Sequence, residues 1–482
     1  MDSSTLSKIK EIAGEKNYTD ALEDKICYSY DGTPLLHKLP EAVVFPETTE
    51  QISALLKLAN KENFAVVPRG SGTGLSGGSV PVENSIVIVL TRWNRILEID
   101  THNLTVLAEP GVITERLQLE VEKHGLFYPP DPGSQKICTI GGNVAENAGG
   151  LRGLKYGVTK NYVLGLEVVL PNGEIIFTGG KNFKDVSGYN LRDIFIGSEG
   201  TLGIFTKVLL KLIPKPTRAI TILAYFDKLI DSAKAVADMV SFHITPCMIE
   251  FLDKTTMNCV EDYTKIGLPR NAESMLLIEV DGRGSDVDYE YEKVVEALKK
   301  NNATAIKSAT TTSEANTLKT ARRAAFSALA RIKPTTILED ATVPRSELPV
   351  MIEKVNEAAS KFDVTFGDFG HAGDGNLHPT CLTDERDHDQ INRAHAAFDF
   401  IFNEAIKLGG TITGEHGTGL AKKHFLEQVA GAAGVDVMRK FKAVLDEKNV
   451  LNPGKIFDVV PRCEGYLFQK REDVPVFNPD HY

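Results

Sequence analysis

The sequence predicts an α+β protein of two or three domains. Apolar residues alternate with period two in some segments and recur at helical spacing in others, so strands and helices are mixed along the chain. The length of 482 residues exceeds the roughly 100–200 residues that one hydrophobic core usually organises. Three glycine-rich segments in the first half indicate loops that approach one extended ligand.

The first predicted domain, residues 1–217, mixes helices with short strands. After an N-terminal helical region, Thr48-Thr-Glu-Gln51 predicts a capping box for a helix. Residues 64–68 predict a strand that runs directly into the first glycine-rich loop. Pro171-Asn-Gly173 predicts the turn of a β-hairpin. Further strands are predicted at residues 85–90, 95–99, 105–108, 166–170 and 174–178, and a helix at residues 113–124.

The second predicted domain, residues 218–410, follows a proline-containing connector. Ile213-Pro-Lys-Pro216 favours extended backbone. The order strand, helix, strand, strand, helix then indicates a ferredoxin-like layer of helices on an antiparallel sheet. These elements are predicted at residues 220–226, 229–240, 248–252, 275–280 and 289–300. A C-terminal segment, residues 411–482, returns to loop and helix and ends in a polar tail.

Composition disfavours several classes of protein. The net charge of −11 argues against a nucleic-acid partner, because an acidic surface repels phosphates. No stretch approaches the roughly 18 apolar residues of a membrane span, and the polar N-terminus lacks the apolar core of a secretory signal. We therefore expect no transmembrane segment and a cytoplasmic location. Six cysteines without a Cys-x-x-Cys pair predict neither a disulfide framework nor an iron–sulfur cluster.

The first glycine-rich loop, residues 69–78, predicts an anion site. Its sequence is Arg69-Gly-Ser-Gly-Thr-Gly-Leu-Ser-Gly-Gly78, and several backbone N–H groups of such a loop can turn toward one phosphate. The glycine spacing fits the Rossmann fingerprint, but Ser79-Val-Pro81 prevents the helix that the fingerprint must open. A Walker loop is excluded because no Lys-Ser or Lys-Thr follows the glycines. A mobile loop without a ligand stays open as the alternative.

Three further segments carry a resemblance to a known family. They are Pro129-Pro-Asp-Pro-Gly-Ser-Gln135, Thr139-Ile-Gly-Gly-Asn-Val-Ala-Glu-Asn-Ala-Gly-Gly150 and Gly197-Ser-Glu-Gly-Thr-Leu-Gly203. With the first loop they resemble the vanillyl-alcohol oxidase class of FAD-binding proteins, in the branch that holds the FAD-binding chain of glycolate oxidase and the FAD-dependent D-lactate and D-2-hydroxyglutarate dehydrogenases. The resemblance covers residues from about 38 to about 457. It implies a PCMH-type FAD-binding domain, a ferredoxin-like substrate (cap) domain and a C-terminal helical segment that returns to the flavin.

The resemblance also implies the FAD-binding residues. Members of the class that bind FAD covalently through the first loop use a histidine, and residues 69–78 contain none, so we expect noncovalent FAD. The matching positions are Arg69, Gly70, Ser71, Gly72, Thr73, Gly74, Ser76, Pro132, Gly133, Ser134, Thr139, Gly142, Asn143, Ala145, Asn147, Gly150, Glu199, Gly200, Ile204 and Asn452.

A histidine motif predicts a metal site. His371-Ala-Gly-Asp-Gly-Asn-Leu-His378 is symmetric about Asp374-Gly375, a favoured two-residue hairpin turn. In such a hairpin His371 and His378 are cross-strand partners, and both imidazoles can reach one ion. Asp374, at the turn, is expected to be structural.

A second motif, Thr413-Gly-Glu-His-Gly-Thr-Gly419, supplies a carboxylate and a third histidine. In extended backbone Glu415 and His416 point in different directions, so one can bind a metal while the other faces the substrate. The resemblance implies that His371, His378 and Glu415 bind a divalent ion and that His416 is the catalytic base. Two histidines and one carboxylate suit Fe²⁺, Zn²⁺ or Mn²⁺, and the sequence does not choose among them.

The resemblance assigns Arg322 to the substrate carboxylate, for which a bidentate guanidinium is apt. The alternative is a cation on a helix surface beside Arg323. The expected reaction is oxidation of a small D-2-hydroxy acid: His416 removes the hydroxyl proton as hydride leaves Cα for flavin N5. D-lactate is favoured, and glycolate and D-2-hydroxyglutarate stay open.

The chain has no nicotinamide motif and no cluster cysteines, so the electrons must pass to an external acceptor. By resemblance this is an electron-transfer flavoprotein, an iron–sulfur subunit or a quinone. Two rival functions stay open: a noncatalytic FAD-binding subunit of a larger oxidase, and a metal-dependent hydrolase that uses the histidine site alone.

Overall fold

The computed structural model describes residues 1–458 of the chain. Cys463 and the predicted polar tail lie outside the described residues. Within residues 1–458 the predicted α+β class is confirmed. No helix among these residues has the length and apolar character needed to cross a membrane.

A small sheet of mostly parallel strands opens the chain and carries the first glycine-rich loop. Its order is β1-β2-β4-β3, with β1 antiparallel to β2 and the other pairs parallel. The capping box predicted at Thr48 is confirmed, because Thr48 and Gln51 exchange side-chain to backbone hydrogen bonds at the start of α3. The elements are α1 (Ser3–Ala13), β1 (Tyr18–Thr19), α2 (Leu22–Cys27), β2 (Ala42–Val44), α3 (Thr49–Glu62), β3 (Ala65–Arg69) and β4 (Ser85–Val89).

A five-stranded antiparallel sheet follows, with the order β5-β6-β10-β8-β9. The hairpin predicted around Asn172 is confirmed as the β8–β9 pair. Its elements are β5 (Ile96–Asp100), β6 (Thr105–Ala108), α4 (Thr114–Glu122), β7 (Leu126–Phe127), α5 (Ile140–Glu146), α6 (Gly153–Tyr156), β8 (Val163–Val169), β9 (Ile175–Gly179), α7 (Leu191–Phe195) and β10 (Ile204–Lys211), followed by β11 (Ile213–Pro214), which pairs with β7.

The second half begins with the predicted ferredoxin-like arrangement. Its four strands lie in the order β15-β12-β14-β13, and every neighbouring pair is antiparallel. The helix α9 between β13 and β14 was not predicted from the sequence. The elements are β12 (Arg218–Phe226), α8 (Leu229–Ser241), β13 (Met248–Asp253), α9 (Lys254–Thr264), β14 (Ser274–Gly282), α10 (Asp286–Lys300) and β15 (Ala305–Ser308).

Three short strands extend this sheet beyond β13 in the order β19-β20-β17, and a separate sheet has the order β16-β21-β18. The remaining elements are α11 (Thr312–Arg323), α12 (Ala325–Leu329), β16 (Thr335–Leu338), β17 (Ala341–Thr342), α13 (Leu348–Phe362), β18 (Thr365–Gly367), β19 (Phe369–His371), β20 (Asn376–Leu377), β21 (Thr380–Thr383), α14 (His388–Lys407) and α15 (Leu426–Leu445).

The centre of the large sheet is buried on both faces, so successive side chains of a strand pack into different hydrophobic clusters. Along β12, Ile222, Ala224 and Phe226 belong to one hydrophobic cluster, while Leu223 and Tyr225 belong to a second. This alternation follows from the period of two in a strand. A polar side chain on β13 or β19 therefore lies in a rigid, buried frame.

The C-terminal segment returns to the first sheet. Val66 of β3 donates its N–H to the carbonyl of Val450, and Asn452 donates its N–H to the carbonyl of Val66. The chain thus returns to the strand that leads into the first glycine-rich loop, and the expected return of a helical segment to the flavin stays a prediction.

Candidate active site

A cavity of about 660 Å³ joins the glycine-rich loops to the histidine motif. One end is lined by the first loop together with residues near 132–148 and 199–205. The other end is lined by His371, His378, Glu415, His416 and Arg322. The fold therefore brings together residues as far apart in the sequence as Arg69 and His416.

The first loop packs so closely against its neighbours that two of its positions require glycine. A Cβ at Gly70 would collide with Oγ1 of Thr139, and Gly72 has a φ of 70°, which glycine adopts without strain. Asn452 fixes the loop by donating from Nδ2 to the carbonyls of Gly78 and Glu199, at 2.9 and 2.8 Å. Asn452 thus joins the end of the loop to the segment that carries Glu199.

Most of the predicted FAD-binding residues line the cavity, and the exceptions are Ser76, Asn147, Gly150 and Asn452. Asn452 acts from behind the wall, as just described. The carbonyl of Ser76 accepts the N–H groups of Leu420 and Ala421. Asn147, in the left-handed conformation, ends α5. A Cβ at Gly150 would meet the backbone of Asp131.

Arg69 is on the cavity wall but is occupied within the loop. Its Nη1 donates to the carbonyl of Tyr30 at 2.6 Å, and its guanidinium folds over Gly72. Arg69 therefore shapes the cradle.

The predicted metal ligands converge on one point. Oε1 of Glu415 lies 3.0 Å from Nε2 of His371 and 3.2 Å from Nε2 of His378. Candidate ligand atoms of the three side chains all lie within 4.8 Å of one another, and this is the one such group found among the described residues. Two imidazoles and a carboxylate with one open side form a donor set that suits a divalent transition metal.

The predicted pairing of His371 with His378 is wrong. His371 pairs with Asn376, because a 3₁₀ turn at Ala372–Asp374 and a left-handed Gly375 make the turn longer than two residues. His378 lies two positions further along and donates its N–H to the carbonyl of Phe369. A shift of two residues keeps a side chain on the same face of a sheet. The two imidazoles therefore still meet, with ring centroids 5.0 Å apart.

The extended backbone on which the expected directions of Glu415 and His416 depend is not found. Both side chains enter the cavity, and Nε2 of His416 lies 4.0 Å from Oε1 of Glu415. Asp340 causes the bend, because its carboxylate accepts the N–H groups of three successive residues, Gly414, Glu415 and His416, at 2.6, 2.9 and 2.9 Å. Extended backbone cannot direct successive N–H groups to one point.

His416 is a neutral imidazole at pH 7. Burial lowers the pKa of His416 to about 4, although the Asp340 carboxylate opposes this shift. Its ring stacks on His378 with a centroid separation of 5.0 Å. Burial raises the pKa of Asp340, but the Lys422 ammonium and the hydrogen bond from the Gly414 N–H outweigh this effect and hold it below its usual range. The arrangement pairs an ionised carboxylate with an unprotonated base at the cavity wall.

The pKa of His371 shifts in the opposite direction from that of His416. Burial lowers the pKa of His371, but the carboxylates of Glu250 and Glu415 outweigh it and raise the pKa well above its usual value. At Glu415 burial raises the pKa, but the contacts with His371 and His378 outweigh it and hold the pKa well below the usual range. A site this rich in paired charge is typical of a functional centre.

Arg322 is buried, which excludes the helix-surface alternative. Its side chain is 5% exposed, its Nη2 lies 2.6 Å from Oε2 of Glu250, and its guanidinium packs over the ring of Phe369 at 4.8 Å. Nε of Arg322 makes no hydrogen bond within residues 1–458. The guanidinium thus keeps donor capacity beside the histidine cluster.

Three site residues were missed from the sequence: Glu250, Asp340 and Glu146. Glu250 interrupts the apolar strand Met248-Ile-Glu-Phe-Leu252, and a carboxylate at such a position is a signal of a buried partner. Asp340 comes shortly after the buried strand β16, where a carboxylate is likewise a signal of a buried partner. Glu146 lines the cavity, and its buried Oε2 makes no hydrogen bond within the described residues. Burial and the neighbouring Glu199 raise the pKa of Glu146 well above its usual value.

Comparisons with known proteins show the family to which the chain belongs. Residues 40–179 match the family model "FAD binding domain", and residues 215–456 match "FAD linked oxidases, C-terminal domain". The chain is 52% identical over 447 residues to glycolate oxidase subunit GlcD of Bacillus subtilis (strain 168), and this alignment covers 93% of the chain and 95% of the relative. It is 37% identical to the protein of the same name from Escherichia coli (strain K12), covering 92% and 88%. D-lactate dehydrogenase of Anaerostipes hadrus is 35% identical, covering 94% and 96%.

Solved structures show the same fold at low identity. p-Cresol methylhydroxylase aligns with a TM-score of 0.77 at 19% identity, covering 95% of this chain and 97% of that one. Alkyldihydroxyacetonephosphate synthase aligns with a TM-score of 0.74 at 19% identity, covering 94% and 86%. The expected PCMH-type fold is confirmed.

The fold, the cavity and the two family models define an FAD-linked oxidoreductase. The chain belongs to the family that contains glycolate oxidase subunit GlcD and D-lactate dehydrogenase.

Proposed function

We propose that the protein is an FAD-dependent dehydrogenase that oxidises a small D-2-hydroxy acid to the 2-oxo acid with the help of a divalent metal ion. The observation that carries the proposal is the convergence of His371, His378, Glu415, His416 and Arg322 at one end of the cofactor cavity. An FAD-binding subunit without catalysis has no need of such a set.

The residues present fit noncovalent FAD. The glycine-rich loop forms a cradle that a Cβ at Gly70 would obstruct, and the cavity of about 660 Å³ lies in the range of ligand pockets. Residues 69–78 contain no histidine to which the flavin could be joined. When bound, FAD supplies the two-electron acceptor, and a divalent ion supplies a Lewis acid that lowers the pKa of the substrate hydroxyl.

The residues present also fit the metal. His371, His378 and Glu415 would hold the ion, because their donor atoms already converge and His371 has a carboxylate behind it at 2.7 Å. Fe²⁺, Zn²⁺ and Mn²⁺ all accept two imidazoles and one carboxylate.

Two side chains act on the substrate. His416 accepts the hydroxyl proton at Nε2, the nitrogen that faces the triad, because burial keeps the imidazole unprotonated. Arg322 binds the substrate carboxylate through the donors that Glu250 leaves free. Held at both ends, the substrate presents its Cα–H bond in one orientation.

The proposed substrates are D-lactate, which we favour, glycolate and D-2-hydroxyglutarate. All three share the hydroxyl and carboxylate that the site recognises. The names of the similar proteins, glycolate oxidase subunit and D-lactate dehydrogenase, support this class of substrate.

We propose further that the electrons leave through a partner, an electron-transfer flavoprotein, an iron–sulfur subunit or a quinone. The sequence has no Cys-x-x-Cys motif and no nicotinamide fingerprint that could serve instead. The word subunit in the name of the relatives supports an assembly with other chains.

The family matches support a division of the chain near residue 217, because one match ends at residue 179 and the next begins at residue 215. We place a second division near residue 410, before the loop that carries Glu415. The free cysteines found in residues 1–458 support the cytoplasmic location that we propose.

Anaerobic flavin reduction tests the proposal. The protein is saturated with FAD, treated with a chelator, and mixed with each 2-hydroxy acid before and after addition of Mn²⁺, Zn²⁺ or Fe²⁺. We expect the flavin absorbance to bleach only with substrate and metal together. His416→Ala should slow bleaching by about 100-fold or more, whereas His102→Ala, in an exposed turn after β5, should not. Bleaching at the wild-type rate by His416→Ala would exclude His416 as the base, and a colourless protein would exclude the FAD role.

A further inference from the structure

Glu250 is a completely buried carboxylate at the centre of the large sheet. It lies on β13, directly opposite His371 of β19 in the antiparallel register. Its exposed fraction is 0%. A buried charge of this kind is strongly destabilising unless it is paired on more than one side.

The two oxygens of Glu250 serve two different partners. Oε1 lies 2.7 Å from Nδ1 of His371, and Oε2 forms an ion pair with Nη2 of Arg322 at 2.6 Å. His371 is a predicted metal ligand, and Arg322 is the predicted anchor for the substrate carboxylate. One side chain therefore touches both halves of the site.

The contact with His371 selects which ring nitrogen can bind a metal. A metal ion can bind His371 only when one ring proton is released, and Glu250 accepts the N–H that stays on Nδ1, so the lone pair is left on Nε2. Nε2 is the nitrogen that lies 3.0 Å from Glu415. A carboxylate behind a ligating histidine also increases the basicity of the ligand.

The contact with Arg322 restrains the guanidinium as an ion pair, because Nη2 and Oε2 are close but do not have hydrogen-bond geometry. The ion pair at Nη2 holds one edge, and packing over Phe369 at 4.8 Å holds the face. Nε makes no hydrogen bond within the described part of the chain. Glu250 and Phe369 therefore limit where the remaining donors of Arg322 can lie.

We propose that Glu250 is a positioning residue that couples the two halves of the site: it sets the metal-binding nitrogen of His371 and, through Arg322, the position of the substrate carboxylate. This inference rests on the proposed function. Glu250 does not line the cavity, and it acts through His371 and Arg322, which do.

Replacement by glutamine tests this coupling. Glu250→Gln keeps the volume but has a single acceptor oxygen, so either His371 or Arg322 must face an NH₂ group. We expect metal affinity to fall about 10- to 100-fold, because that is the usual effect of losing the group behind a ligating histidine. We also expect a higher KM for the 2-hydroxy acid, with FAD content unchanged.

Glu279→Gln is the matched control. Glu279 is also buried, lies on the neighbouring strand β14, and pairs with Lys319 of α11 at 2.7 Å, the helix that carries Arg322. If Glu250 only anchored α11 to the sheet, both variants would have the same effect. Glu250→Asp keeps the charge, but its shorter side chain cannot reach both partners, and we expect an intermediate loss. It decides the question should the glutamine variant fail to fold.

The probe is binding of Mn²⁺ or Zn²⁺ to the chelator-treated FAD protein, measured by calorimetry, with KM and kcat measured separately. Metal affinity within about threefold of wild type in both Glu250 variants, or an equal loss in Glu279→Gln, would overturn the inference and leave the proposed function intact. Failure of the wild-type protein to bind either metal would overturn both. Loss at Glu250 alone supports the inference.

Discussion

Asp340 should control the order of the loop that carries the catalytic base, and its replacement by asparagine tests this. The carboxylate accepts Oγ1–H of Thr413 at 3.0 Å in addition to the three N–H groups of Gly414, Glu415 and His416. Oδ2 of Asp340 accepts three of these four hydrogen bonds, and Oδ1 accepts the fourth, from Gly414. If the amide oxygen of the asparagine takes the place of Oδ2, its NH₂ group takes the place of Oδ1 and faces the N–H of Gly414.

The size of the effect follows from these bonds. A hydrogen bond to a charged group contributes about 1.5–3 kcal/mol, and a buried donor left without a partner costs about 1–3 kcal/mol. Allowing for relaxation of the loop, we expect Asp340→Asn to lower the free energy of local opening by about 3 kcal/mol, which is roughly 100-fold in the opening equilibrium. Metal affinity should fall with it, because Glu415 lies on this loop.

Hydrogen exchange measured by mass spectrometry is the assay. Peptides covering residues 413–417 should exchange roughly 100-fold faster in the variant. Asp446→Asn is the control: Asp446 is buried and accepts the N–H groups of Val450 and Leu451, so exchange should rise there and not at 413–417. Unchanged exchange at 413–417 in Asp340→Asn would refute the argument that this carboxylate bends the loop.

Three other changes have distinct expected outcomes. Burial raises the pKa of Asp253, the N-cap of α9, to about 6. The folded state therefore binds the proton of the Asp253 carboxyl group more tightly than the unfolded state does. As a result, the free energy of unfolding falls as the pH rises from about 4 to about 6. Asp253→Asn should therefore stabilise the protein by up to about 3 kcal/mol at pH above about 7 and have no effect near pH 4, and equal shifts in Tm at both pH values would contradict this. Gly70→Ala should lower the flavin absorbance per chain, because the added Cβ collides with Thr139. Gly180→Ala is the control and should keep full FAD content, because a Cβ at Gly180 meets no atom within 4 Å. Normal flavin content in both variants would argue against the cradle. Arg322→Lys should raise KM about 10- to 100-fold at unchanged FAD content, because an ammonium cannot bind a carboxylate in bidentate fashion, and an unchanged KM would remove Arg322 from substrate binding.

The parts of the fold that local sequence determines were predictable. The capping box at Thr48 and the hairpin turn at Asn172 involve residues within four positions of each other, and both are confirmed. The ferredoxin-like order followed from the alternation of strand and helix patterns. The helix α9 was not predicted because residues of low helix propensity, such as Thr255, Thr256 and Asn258, weaken the local helical pattern.

The contacts inside the site were less predictable, because they join distant segments. Glu250 and His371 are 121 residues apart, and no local pattern connects them. The symmetric appearance of the motif around Asp374 suggested the wrong pairing of His371, although the period of two kept both histidines on one face. The bend at Glu415 depends on Asp340, which lies 75 residues away.

Flavin reduction with and without metal tests the central claim most directly. The claim is that a 2-hydroxy acid held by Arg322 and the triad gives its electrons to FAD in the same cavity. Under anaerobic conditions, D-lactate or glycolate should bleach the flavin of the wild-type protein when Mn²⁺, Zn²⁺ or Fe²⁺ is present. A chelator, or His371→Ala, should abolish the bleaching. Full-rate bleaching by His371→Ala in chelator would contradict the metal role, and no bleaching by D-lactate, glycolate or D-2-hydroxyglutarate under any metal condition would contradict the proposed function itself.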